Sequence, residues 1–156
     1  MPTIAVVDYD MGNLHSACKG LEKAGATPHI TDSPIAIDQA DAIVLPGVGA
    51  FDPAVQHLRS RQLEAPIKRA IASGKPFLGI CLGLQILFDS SAEGQEPGLG
   101  IIPGTVQRFT HEPGITIPHM GWNQIHVTSA YQSASPNPTP NLGLVWQRSP
   151  YAGVQT

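Results

Sequence analysis

The sequence predicts an α/β domain, an open and mostly parallel sheet with helices on both faces. Three observations predict it. Short aliphatic runs recur at Thr3–Val7 (TIAVV), Ala42–Leu45 (AIVL) and Pro76–Ile80 (PFLGI). Segments of helical spacing or helical length separate them. Each run is apolar on both sides, the pattern of strands covered by helices above and below.

The first run ends at Asp8, and its β-branched content favours a buried strand. Met11-Gly12-Asn13 reads as a turn. Leu14, Cys18 and Leu21 then follow at helical spacing, and Gly25 closes the segment as a C-cap. Thr27 to Thr31 is a second strand. Ala42 to Leu45 is a third, stopped by Pro46-Gly47. Phe51 to Ala72 is long enough for a helix, a break near Pro66 and a second helix. Pro76 to Ile80 is a fourth strand, followed at once by Cys81 and a helix through Phe88. Beyond Ser90 the chain is rich in turns, with short antiparallel strands expected at Thr105–Phe109 and Trp122–Val127.

In parallel sheets the binding crevice lies outside the carboxyl ends of the strands. The exits to inspect are therefore Asp8 to Asn13, Pro46 to Phe51 and Gly79 to Gly83.

Composition narrows the function classes. The 156 residues fit one domain, with 13% charged residues and a formal net charge of -3. No basic run marks a nucleic-acid partner or a membrane anchor. The N-terminus lacks a basic segment, and its apolar run is too short for a signal peptide or a spanning helix. Two cysteines do not make a disulfide framework, so a cytoplasmic location is expected. No paired His or Cys motif of metal-ligand spacing occurs and no dinucleotide or phosphate-loop fingerprint, so neither a metal nor a cofactor is expected.

Gly79-Ile80-Cys81-Leu82-Gly83 has the spacing of a nucleophile elbow, with glycines two before and two after the nucleophile. A sharp strand-to-helix turn strains the backbone at the nucleophile, and side chains at the flanking positions would collide. The turn sets the sulfur at a helix N-terminus, where the helix dipole favours thiolate. The free N–H of Leu82 can meet an oxyanion there. A buried, inert cysteine is the competing reading on the pentapeptide alone; Cys18, on an apolar helix face, takes that reading outright.

The neighbours decide between the two. Gly79 to Gln85 resembles the nucleophile motif of class I, triad-type glutamine amidotransferases. Pro46-Gly47-Val48-Gly49-Ala50-Phe51 resembles the loop that helps form their oxyanion site. Asp8-Tyr9-Asp10-Met11-Gly12-Asn13 and Pro118-His119-Met120-Gly121-Trp122-Asn123 are similar to segments of the glutaminase subunits of imidazole glycerol phosphate synthase. The resemblance runs from about Ile4 to about Val127.

That resemblance implies a set of roles. Cys81 is the nucleophile on glutamine. Gly47, Val48, Gly49 and Leu82 line the oxyanion and substrate site, and Gln85 helps hold the substrate. Asn13 and the block Pro118, His119, Met120, Gly121, Trp122 and Asn123 face a cyclase subunit, in a heterodimer that takes up the ammonia for histidine biosynthesis. A core aromatic and a structural histidine are the competing readings of Trp122 and His119.

The family also carries a Phe-His-Pro-Glu type motif near its C-terminus that supplies the triad histidine and its acid. None of His15, His29, His57, His111, His119 or His126 matches it. The resemblance thus implies a domain at residues 1–128 that is incomplete at its C-terminus, and a chain impaired in turnover; the Ser/Pro-rich composition of 129–156 reads separately as a disordered tail that is not family-like. Two alternatives stand beside this reading: a non-catalytic remnant that binds the cyclase, and a glutaminase subunit serving another acceptor.

Overall fold

The computed structural model describes residues 2–108 and two short strands, Leu142–Leu144 and Val154–Gln155. The expected strand at Trp122–Val127, the 118–123 block and most of the 129–156 tail lie outside the described residues.

Strand β1 (Thr3–Val7) leads to helix α1 (Leu14–Lys23), β2 (Thr27–Thr31), α2 (Pro34–Gln39), β3 (Ala42–Gly47), α3 (Phe51–Ser60), α4 (Glu64–Ala72) and β4 (Phe77–Cys81). One turn of helix, α5 (Leu82–Gln85), then precedes β5 (Phe88–Ser91), β6 (Ile102–Val106), β7 (Leu142–Leu144) and β8 (Val154–Gln155). The main sheet has five strands in the order β2-β1-β3-β4-β7, all paired in parallel. The chain winds outward from β1 to β2 and then returns past it to β3 and β4. The order therefore reverses beside β1, and the crevice of such a sheet opens at that switch, over the strand ends.

Alternation along the strands sends side chains to two cores. Ala5, Val7, Ile43 and Leu45 pack with Ile37 of α2, Leu58 of α3 and Ile67 of α4. Val6 and Val44 face the other way, against Cys18 of α1. Helices thus cover both faces, as the doubly apolar runs of β1 and β3 require. Strand β2 is the exception: Thr27, His29 and Ile30 are exposed. Among the described strands it forms the sheet edge, a place where proline is tolerated.

Several sequence expectations need correction. Strand β3 does not stop at Leu45 but runs through Pro46 and Gly47. Its pairing with β1 ends at Val44, while pairing with β4 continues to Gly47. Pro46 therefore sits where one side of the strand no longer needs a donor. The break between the two long helices is at Arg61–Leu63, not Pro66. Pro66 lies in the first turn of α4, where its missing N–H has no partner to lose. Helix α2 was not foreseen; it is only six residues long, with Ser33 accepting from the Ala36 N–H at 3.4 Å as its cap. The helix after Cys81 ends at Gln85 rather than Phe88, and β6 pairs with β5 in parallel, though antiparallel to β8.

The break at Gln62 has a physical signature. Helices α1, α3 and α4 all end in the same way, with a left-handed residue whose successor bonds back five residues. The bonds are Ala26 N–H to Leu21 O, Leu63 N–H to Leu58 O, and Lys75 N–H to Ala70 O, at 3.0, 2.9 and 3.1 Å. The left-handed residue is Gly25 and Gly74 in two cases and Gln62, at φ 60°, in the third. A Cβ in that conformation is strained. Gln62→Gly is therefore expected to stabilise the fold by about 0.5–1 kcal/mol, read as a higher denaturation midpoint in urea.

Candidate active site

Cys81 closes β4 and caps α5, with φ 55° and ψ -116°. These are the angles of the first central residue of a type II′ turn, a position glycine normally holds. The sulfur-bearing side chain is exposed. No described residue gives it a hydrogen bond.

Three glycines make this turn possible by letting main chain meet main chain. A Cβ on Gly83 would lie 1.8 Å from the Leu45 carbonyl oxygen. One on Gly79 would lie 2.9 Å from Leu84 Cα and 3.0 Å from Gly83 O. One on Gly47 would lie 2.5 Å from Gly83 N. Gly47 and Cys81 are register partners on β3 and β4, so the elbow rests directly on the neighbouring strand. The flanking glycines 79 and 83 thus have the steric reason read from their spacing, and Gly47 adds a third from a distant segment.

Helix α5 sums only a few peptide dipoles, so its first free N–H groups, not a long macrodipole, are what it offers an anion. Leu82, buried, is its first residue. Gln85 lies four residues after Cys81 and is half-buried; that spacing puts the two on one side of the turn.

The loop after β3 is laced to the exit of β1. Val48 is 53% exposed, and its N–H donates to the Met11 carbonyl at 2.7 Å. In this conformation that amide is engaged. Gly49 has φ 100°, and a Cβ there would lie 2.9 Å from Met11 Cε; its own N–H has no acceptor among the described residues. Asp10, also left-handed at φ 68°, ties the β1 exit to α3 through an ion pair with Arg61 and a 3.5 Å contact to His57. Asn13 is exposed and caps α1, its side-chain oxygen accepting from the Ser16 N–H at 3.2 Å.

The three strand exits therefore converge: Tyr9 to Asn13, Gly47 to Gly49, and Cys81 to Gln85. Sequence reasoning quoted Tyr9 within a motif but gave it no role. It is 1% exposed, and a Cβ on Gly47 would lie 2.6 Å from its hydroxyl. The signal in the sequence was an aromatic residue with a polar tip at the end of an otherwise aliphatic strand. Among the described residues no group of three or more His, Cys, Asp or Glu side chains could hold a metal ion. No helix among them is long and apolar enough to cross a membrane.

Comparison with known proteins agrees with this geometry. The family described as glutamine amidotransferase class-I matches residues 5–155. Imidazole glycerol phosphate synthase subunit HisH of Nostoc punctiforme is 79% identical over 130 residues, covering 83% of this chain and 62% of the relative. The protein of that name from Gloeothece citriformis is 72% identical over 151 residues, covering 97% of this chain and 66% of the relative. The chain thus spans less than two thirds of the length of these two curated relatives. A crystal structure of a glutamine amidotransferase shares the fold, with a TM-score of 0.58 at 19% identity over 67% of this chain and 56% of that one. A strained, exposed cysteine between two glycines at the end of a parallel strand, a matching family profile and these relatives lead to one conclusion: the chain belongs to the class-I glutamine amidotransferase family.

Proposed function

We propose that this chain supplies the glutaminase half-reaction of imidazole glycerol phosphate synthase, in the cytoplasm, for a cyclase subunit of histidine biosynthesis. The observation that carries the reading is the exposed Cys81 sulfur on a left-handed turn at the start of α5, whose first residue is Leu82. The high identity to proteins named as subunits of that synthase supports the choice of acceptor.

The chemistry follows from the placement. The Cys81 thiolate attacks the side-chain amide carbon of glutamine, and the carbonyl oxygen becomes an oxyanion facing main-chain N–H groups. Collapse with proton transfer to nitrogen expels ammonia and leaves a glutamyl thioester. Water then adds to the thioester carbon, releasing glutamate and the thiol. Gln85 would hold the substrate, and Asn13 with the 118–123 block would face the cyclase.

Proton transfer needs a base in addition to the residues named above. A polypeptide of these 156 residues, lacking the Phe-His-Pro-Glu motif, should turn over glutamine at least ~10²-fold more slowly than a relative that carries it.

The test mixes the chain with the histidine-pathway cyclase and a chloroketone analogue of glutamine. Co-elution with the cyclase, and a single adduct on Cys81 that excess glutamine prevents, are the expected results. Adduct on Cys18, or labelling indifferent to glutamine, would overturn the proposal.

A further inference from the structure

The Tyr9 hydroxyl is buried and has no hydrogen-bond partner among the described residues. Native proteins rarely leave such an atom unsatisfied without a reason. Its position suggests the reason. Tyr9 follows β1, yet its hydroxyl lies under Gly47, in the same small space as the Gly83 nitrogen and the Leu82 Cβ. Gly47 is the register partner of Cys81. The orphan donor therefore sits beneath the elbow.

We propose that the Tyr9 hydroxyl is a donor for the Cys81 sulfur, accepted when that sulfur is an anion and left unmade while it is a thiol. A neutral thiol is a weak acceptor, whereas a thiolate is a strong one. The exposed sulfur has no competing hydrogen bond among the described residues, and it stands on the register partner of the glycine under which the hydroxyl lies. The hydroxyl is then satisfied only in the reactive form, and its burial favours that form. Burial first, and the Cys81 charge second, push the phenol far above its ordinary range. Tyr9 therefore keeps its proton at any working pH and remains a donor.

This inference rests on Cys81 being the nucleophile, but its test does not need turnover. The full chain and its Tyr9→Phe variant are alkylated with iodoacetamide across the alkaline range, and the Cys81 adduct is quantified by peptide mass. Phe keeps the ring and deletes only the hydroxyl. The expected result is a midpoint displaced upward by about one pH unit, the size of a lost hydrogen bond to a charged group. Melting temperature should stay level or rise, because an unsatisfied buried group has been removed. A residue serving structure alone would give the reverse pattern, a lower melting temperature with an unmoved midpoint. As a second arm, 3-fluorotyrosine incorporated at position 9 is a stronger donor and should move the midpoint downward. Superimposable profiles for all forms would overturn the inference. A displaced midpoint without glutamine protection of Cys81 would leave it standing while the glutaminase reading falls.

Discussion

Cys81→Gly is expected to raise the melting temperature of the chain while abolishing every covalent reaction at this site. The backbone at Cys81, at φ 55° and ψ -116°, occupies a region that L side chains enter at a cost. Strain of that kind is worth roughly 1–3 kcal/mol. Glycine enters the region freely but loses up to about 1 kcal/mol through the greater freedom of its unfolded chain. The side chain is exposed, so its deletion removes little packing. The balance is a gain of about 1 kcal/mol, which corresponds to about 3 °C in a domain of this size. Cys81→Ala separates the two effects, since it removes the sulfur and keeps the Cβ. It should lose the chloroketone adduct as completely as the glycine variant but melt with the parent. If the glycine variant melts no higher than the alanine variant, the strain assigned to this turn is absent.

Gly83→Ala is expected to be the most damaging single methyl in the elbow. The added Cβ would lie 1.8 Å from the Leu45 carbonyl oxygen and 2.8 Å from its carbon. Neither is the far end of a flexible side chain. Relief requires α5 to move by more than 1 Å away from β3, and Leu82 and Ile86 in the core must follow. Overpacking of this kind costs about 3 kcal/mol or more, and a fall of roughly 10 °C in melting temperature follows. Gly20→Ala is the matched control. A Cβ at Gly20 meets nothing within 4 Å on the exposed side of α1, and helix propensity favours the exchange by about 1 kcal/mol. Equal behaviour of the two alanine variants, by thermal melting, would refute the contact as the cause.

The sequence made the sheet legible where a single rule governed. Strands β1 and β2 have the bounds expected from their composition, Thr3–Val7 and Thr27–Thr31. The end of α1 was legible because glycine supplied its left-handed cap. The end of α3 was not, because Gln62 takes the same conformation without advertising it. Pro66 misled because a proline inside a helix breaks it, whereas one in the first turn does not. In the site, Gly79, Cys81 and Gly83 could be read together because they are neighbours in the chain. Tyr9 and Gly47 could not, because their relation to the elbow exists only after β3 has been laid beside β4. Met11 holding the Val48 amide belongs to the same class: a contact between two loops has no period and no local spacing.

The sulfur's address is written in carbonyls and amides, the atoms every sequence possesses. Side chains around the elbow, such as those of Ile80 and Leu84, can therefore drift without carrying the nucleophile with them. Three positions cannot drift, because at 47, 79 and 83 one extra carbon would displace the neighbouring strand or the turn itself. A protein with 19% identity can accordingly share this fold, since the geometry asks for a handful of absent side chains and leaves the present ones free to vary.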